Sequence, residues 1–171
     1  METWERDTVL ADSLEARYCA LGCLRKCVRQ AMAEIAATPV TQGVAVWHLY
    51  NMGYVFKTAH CCFGIDLHCR DAALFAPYLD FLLVTHLHHD HVSGPLLDAM
   101  IGANKLVITR GYTGSVVVKE ACEFNLRSAR IKVDIGDHHR HLPLISTNNM
   151  LMFQIDCEDE AGKYTVYHSG D

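Results

Sequence analysis

The sequence predicts an α/β layered fold, on three observations. Short apolar and β-branched runs alternate along the chain with segments of helical periodicity. One run, Phe81-Leu82-Leu83-Val84-Thr85, is apolar almost throughout, as a strand buried on both faces requires. At 171 residues, 50% of them hydrophobic, the chain is long enough for one such core.

The first element is an amphipathic helix from Asp12 to Thr38. Asp12 caps it, with Glu15 completing a capping-box-like pair. Leu14, Tyr18, Leu21, Val28, Met32 and Ile35 recur near helical spacing, and Thr38-Pro39 ends the run. Its apolar stripe calls for a covering surface, either the domain or a second subunit, so a homo-oligomer paired through this helix is one expectation. Residues 44–50 and 54–58 then read as a β-hairpin around Asn51-Met52-Gly53, and 62–67 as a strand closing on Asp66. A short helix over 71–77 ends at Pro77, and the buried strand 81–85 follows.

Ser93 caps a helix to about Ile101, with Pro95 in its first turn. Residues 105–109 form a strand, 115–124 a helix despite Val116-Val117-Val118, and 130–135 a strand. The last pair is 150–156 and 164–168, joined by the turn at 158–162. There is no internal repeat, linker or low-complexity stretch.

The formal net charge of −5 gives no reason to expect a nucleic-acid partner, which selects for a basic patch. No apolar run is long enough to cross a bilayer, and the acidic start Met-Glu-Thr-Trp-Glu-Arg-Asp lacks a signal-peptide layout. The eight cysteines sit within hydrophobic segments rather than a loop-rich framework, which points to reduced thiols and a cytoplasmic protein. Cys19, Cys23 and Cys27 share one helix face and read as small residues packed there, not as a metal or redox cluster.

The anomaly is histidine. Four of the eleven fall at 86, 88, 89 and 91, directly after the buried strand. In extended backbone, His86, His88 and Asp90 point to one side, while Leu87 points to the core. The turn near Ser93 swings His91 toward the same volume and leaves His89 at the surface. Imidazoles with an interleaved carboxylate are ligand types for zinc, iron and similar ions.

His86-x-His88-x-Asp90-His91, preceded by an apolar strand and followed by Ser93-Gly94, resembles the signature motif of the metallo-β-lactamase superfamily. Phe63-Gly64-Ile65-Asp66 is similar to the family's first motif, whose Asp supports the metal loop. Tyr164 to Asp171 is similar to the strand leading into the family's Gly-Asp. The resemblance runs from about Val44 to Asp171. It implies that His86 and His88 bind one metal, Asp90 and His91 a second, and that Asp171 bridges them. The cofactors implied are two divalent ions, zinc foremost, with iron or manganese as alternatives. The implied architecture is an αββα sandwich represented by its N-terminal half in residues 43–171, with an added helical segment at 1–42 and the C-terminal part missing.

Two departures stand out. The family's further histidine ligand has no counterpart in Pro143 to Asn149, so His138, His139, His141 or Asn148 is left to replace it. The family fold also continues past the Gly-Asp, so this chain is expected to be a natural truncation, a gene fragment or an incomplete sequence. The implied activity is hydrolysis of an ester, lactone, thioester or phosphodiester small molecule by a metal-bound hydroxide. A bound ion lowers the pKa of its water from about 15.7 to roughly 7, and Asp90 is the residue placed to orient that water and take part in proton transfer. The texture from Trp47 to Asp66 leans toward cytoplasmic hydrolases that include sugar-phosphate lactonases. The alternative is a degenerate or truncated module that binds metal or a partner without turnover.

Overall fold

Central strands buried on both faces, later strands whose side chains alternate in and out, and a hydrophobic stripe on each helix together dictate three stacked layers here. The structure, a computed structural model, describes residues 17–137 and 150–170. The first helix, α1, spans Cys19–Ala37 and buries Val28, Ala31 and Ile35. Thr38, extended at φ −84° and ψ 111°, ends it one residue before Pro39. The proposed caps Asp12 and Glu15 lie outside the described residues.

A six-stranded sheet follows in the order β1-β2-β3-β4-β5-β6. Strands β1 (Ala45–His48), β2 (Tyr54–Lys57) and β3 (Cys62–Ile65) pair antiparallel, and β4 (Phe81–Leu83), β5 (Leu106–Thr109) and β6 (Val116–Val117) continue in parallel. The hairpin at Asn51 forms as expected, with Asn51 itself at φ 58°. Between β3 and β4 the expected helix is a single 3-10 turn over Ala72–Phe75. Helix α2, Gly94–Gly102, has Ser93 at its N-cap, although the hydroxyl makes no capping bond.

The expected helix over 115–124 does not exist. Val116–Val117 joins the first sheet as β6, and Cys122–Asn125 opens the second as β7. The β-branched run accounts for this, because three consecutive valines crowd the preceding turn of a helix but fit a pleated edge. The second sheet is antiparallel in the order β10-β9-β8-β7, adding β8 (Arg130–Gly136), β9 (Met150–Asp159) and β10 (Gly162–His168). The closing hairpin is longer than expected. Asp159 Oδ1 accepts from Ala161 N at 2.7 Å and Gly162 N at 3.2 Å, which tightens the turn to two residues.

Two cores result. Phe56, Phe63, Phe81, Ile131, Phe153 and Ile155 fill the space between the sheets. Phe56, Phe63 and Phe81 stack across adjacent strands at centroid distances of 5.1 and 4.7 Å. On the other face of the first sheet, Val28 and Ile35 of α1 and Leu96, Leu97 and Met100 of α2 belong to one core. Each such side chain, fully buried, contributes roughly 1.5–3 kcal/mol. The described part is therefore an α/β/β stack. The outer face of the second sheet is polar, with Arg130 bonded to Glu123 at 2.6 Å and Thr165 to Asp156 at 2.8 Å.

Candidate metal centre

Strands β3 and β4 run parallel, so their C-terminal ends emerge side by side, and the chemistry-bearing residues leave from both. Asp66, the residue after β3, takes φ 49° and is fully buried. This left-handed turn aims its carboxylate along the end of the neighbouring strand rather than across the sheet. There it accepts from Thr85 N at 2.8 Å on Oδ1, and from Thr85 Oγ1 at 2.7 Å and His91 Nδ1 at 2.9 Å on Oδ2.

Those bonds fix protons on two imidazoles. A carboxylate only accepts, so His91 carries its proton on Nδ1 and its lone pair on Nε2. The Thr85 hydroxyl spends its proton on Asp66 and so accepts from His86 Nδ1 at 3.0 Å. His86 therefore also presents a lone pair on Nε2. One buried carboxylate sets both tautomers, the usual second-layer device behind metal-ligating histidines.

The two rings lie 4.1 Å apart between centroids, both almost fully buried. His86 Nε2 faces His88 Nδ1 at 3.0 Å, and His91 Nε2 faces Asp90 Oδ2 at 3.9 Å. Asp90, with its side chain 44% exposed, receives a bond from Asn51 Nδ2 at 3.3 Å. Burial pushes the Asp90 carboxyl up, but hydrogen bonding to its own backbone and the charges and amide around it outweigh burial and hold it low. His86, His88, Asp90 and His91 are thus neighbours around one loop, and His89 is exposed as expected.

Among the described residues, no three His, Cys, Asp or Glu side chains converge tightly enough to form a group that could hold a metal ion. The donor set nevertheless fits one in kind, because two imidazoles of fixed tautomer present lone pairs beside a third ring and a carboxylate. Asp171, His138, His139, His141 and Asn148 lie outside the described residues. The chain leading to Asp171 reaches this region: a Cβ at Gly170 would strike Met150, and the next residue, Leu151, donates its N–H to Thr85 O at 2.7 Å.

Two expectations about side-chain direction are corrected. Leu87 points outward, 45% exposed, because the chain leaves strand geometry after Leu83 and the period-two alternation no longer holds. Cys19, Cys23 and Cys27 are exposed rather than packed, since the buried stripe of α1 runs through Val28, Ala31 and Ile35. All eight cysteines are free thiols. Sequence reading overlooked Asn51, which it treated only as a turn residue. It also overlooked His68, whose Nδ1 lies 3.0 Å from Val92 O under the same loop. Asparagine's tolerance of left-handed backbone was the available signal for Asn51.

No family model matches the sequence, and no curated protein matches it. Solved structures do. A presumed metal-dependent hydrolase from Parabacteroides distasonis aligns with a TM-score of 0.60 at 14% identity, over 78% of this chain and 64% of that one. CmlA, a diiron β-hydroxylase from Streptomyces venezuelae, aligns with a TM-score of 0.54 at 15% identity, over 77% of this chain and 30% of that one. The chain thus spans less than two thirds of the length of either protein. No helix among the described residues is long and apolar enough to cross a membrane. The two-sheet stack, the strand-end Asp66 and the histidine loop between β4 and α2 belong together in one architecture: the chain has the metallo-β-lactamase fold.

Proposed function

We propose that this chain is a metal-dependent hydrolase domain acting on a small-molecule ester, lactone, thioester or phosphodiester in the cytoplasm. The observation that carries the reading is the buried Asp66 carboxylate, which holds Thr85 and His91 directly and His86 through Thr85. A buried carboxylate in this position costs desolvation, and the three groups it organises all belong to one candidate ligand loop.

His86 and His88 would hold one divalent ion, and Asp90 and His91 a second, with Asp171 bridging. Zinc suits the imidazole-rich set, with iron or manganese as alternatives. When bound, such ions supply Lewis acidity and lower the pKa of water to about 7. The chain's own residues do the rest. Asn51 Nδ2 bonds to Asp90, whose carboxylate would orient the attacking water and take part in proton transfer, and Asp66 would keep the lone pairs of His86 and His91 turned toward the ligand side. His138, His139, His141 or Asn148 would supply the further ligand of the first ion.

The test is reconstitution. The full chain, stripped with chelator and reloaded separately with Zn²⁺, Fe²⁺ or Mn²⁺, is assayed on p-nitrophenyl esters, a lactone and bis(p-nitrophenyl) phosphate. Metal-dependent turnover that Asp90→Asn abolishes supports the reading. Tight metal uptake with no turnover on any of these substrates would instead favour a binding module without catalysis.

A further inference from the structure

Helix α1 does more than cover the first sheet. Its half-buried and exposed residues Leu21, Cys23, Leu24 and Cys27 line a groove of about 770 Å³, which Tyr50 and Asp90 also line. That volume lies within the range of roughly 300–1,000 Å³ typical of small-molecule sites. The groove is continuous with the candidate metal centre, because Asn51 and Asp90, which bond to each other, both line it. Two of the three outward cysteines of α1, Cys23 and Cys27, thereby find an explanation that core packing does not supply. Small, polarisable side chains at 23 and 27 keep the lining apolar without filling the groove.

The charge of the lining restricts what fits. Among the described residues, no lysine or arginine lines this groove; its polar side chains are Tyr50, Asn51, His68, His89 and a single carboxylate, Asp90. Arg127, Arg130 and Lys163 instead line a separate groove of about 410 Å³ against the second sheet. An anionic phosphate group placed beside α1 would lose hydration with no fixed cation of the groove to replace it. An aliphatic or aromatic group would be buried against leucine, tyrosine and thiols, gaining about 25 cal/mol for each Å² removed from water.

We infer that the α1 groove receives the uncharged, apolar portion of the substrate, so that the substrate class is an acyl or aryl ester, thioester or lactone rather than a phosphodiester. The word substrate rests on the hydrolase reading; the binding claim does not. The probe is an uncharged naphthylamine fluorophore titrated into the full chain, with p-nitrophenyl octanoate, p-nitrophenyl acetate and bis(p-nitrophenyl) phosphate as competitors. Cys23→Glu adds a charge at an exposed position and should leave the fold intact, while Lys26→Glu, also on α1 but outside the groove, is the control.

Expected are one saturable site, displacement by the octanoate ester well ahead of the acetate ester and the phosphodiester, and about a tenfold loss of affinity in Cys23→Glu only. Absence of saturable binding, equal affinity in Cys23→Glu, or stronger displacement by the phosphodiester overturns the inference. A doubling of mass that Cys23→Glu abolishes, with no fluorophore bound, would mean that a second copy occupies the groove and would also overturn it. Intact binding with no ester hydrolysed under any metal would sink the hydrolase reading alone.

Discussion

His91 Nδ1 and Asp66 Oδ2 lie 2.9 Å apart, with the side chains 1% and 0% exposed. The pair ties the end of β3 to the far side of the histidine loop, and Thr85 shares the same carboxylate oxygen at 2.7 Å. Replacing Asp66 with Ala removes the acceptor for three buried donors at once. A loss of about 3–5 kcal/mol is expected, read as a shift of the urea midpoint. A loss below 1 kcal/mol would show that water or another group substitutes easily.

Thr85→Val separates the hydroxyl's role from that of the strand. The β-branched shape is kept, so β4 and its register should survive, but the relay from Asp66 to His86 Nδ1 is cut. Stability should fall by about 1–3 kcal/mol, and metal affinity by roughly 10–100-fold. Calorimetric titration with Zn²⁺ on the variant and the unaltered chain checks the second figure. Unchanged affinity would remove Thr85 from the supporting layer.

How much of this was legible beforehand depends on the distance over which each signal acts. The loop from His86 to His91 announces itself because its ligand types sit within one short stretch after an apolar strand. Asp66 is readable as a strand-ending acid, but its three partners are a property of two parallel strand ends meeting, which no local pattern encodes. The expected helix at 115–124 gives way to strands because the β-branched run Val116-Val117-Val118 is stiff at χ1 and suits a pleated edge. The outward turn of Leu87 was missed because the alternation rule was extended beyond the end of β4 at Leu83.

Helix α1 is fastened by ion pairs as well as by Val28 and Ile35. Asp71 Oδ2 accepts from Arg25 Nε and Arg29 Nε, each at 3.1 Å. Burial alone would raise the Asp71 carboxyl, but the two guanidinium groups outweigh it and hold the group below the usual carboxylate range. A depressed carboxylate contributes stability that is present above its unfolded pKa and is lost as pH falls through the folded value. Asp71→Asn should therefore cost about 1 kcal/mol at neutral pH, limited by the exposure of the arginines, and the gap should close only below about pH 4. Hydrogen exchange of the α1 amides across that pH range reports it directly. A pH-independent gap would assign the loss to packing.

Gly170 occupies φ 82°, and a Cβ there would run into Met150. Gly170→Ala is expected to cost about 1–3 kcal/mol through left-handed strain and displacement of Met150. Because Leu151 bonds to Thr85, metal affinity should fall together with thermal stability. An alanine variant with unaltered melting temperature would show that the strand end has room to shift.

The central claim is that His86, His88, Asp90 and His91 serve one cation-binding centre, and elemental analysis of metal per chain after chelation and Zn²⁺ reloading tests it most directly. The account predicts at least one tightly held ion in the intact chain. That uptake should be lost in the His86→Ala/His88→Ala double variant and retained in His89→Ala. An intact, folded chain that retains no transition ion, or a double variant that retains as much as the original, would contradict it.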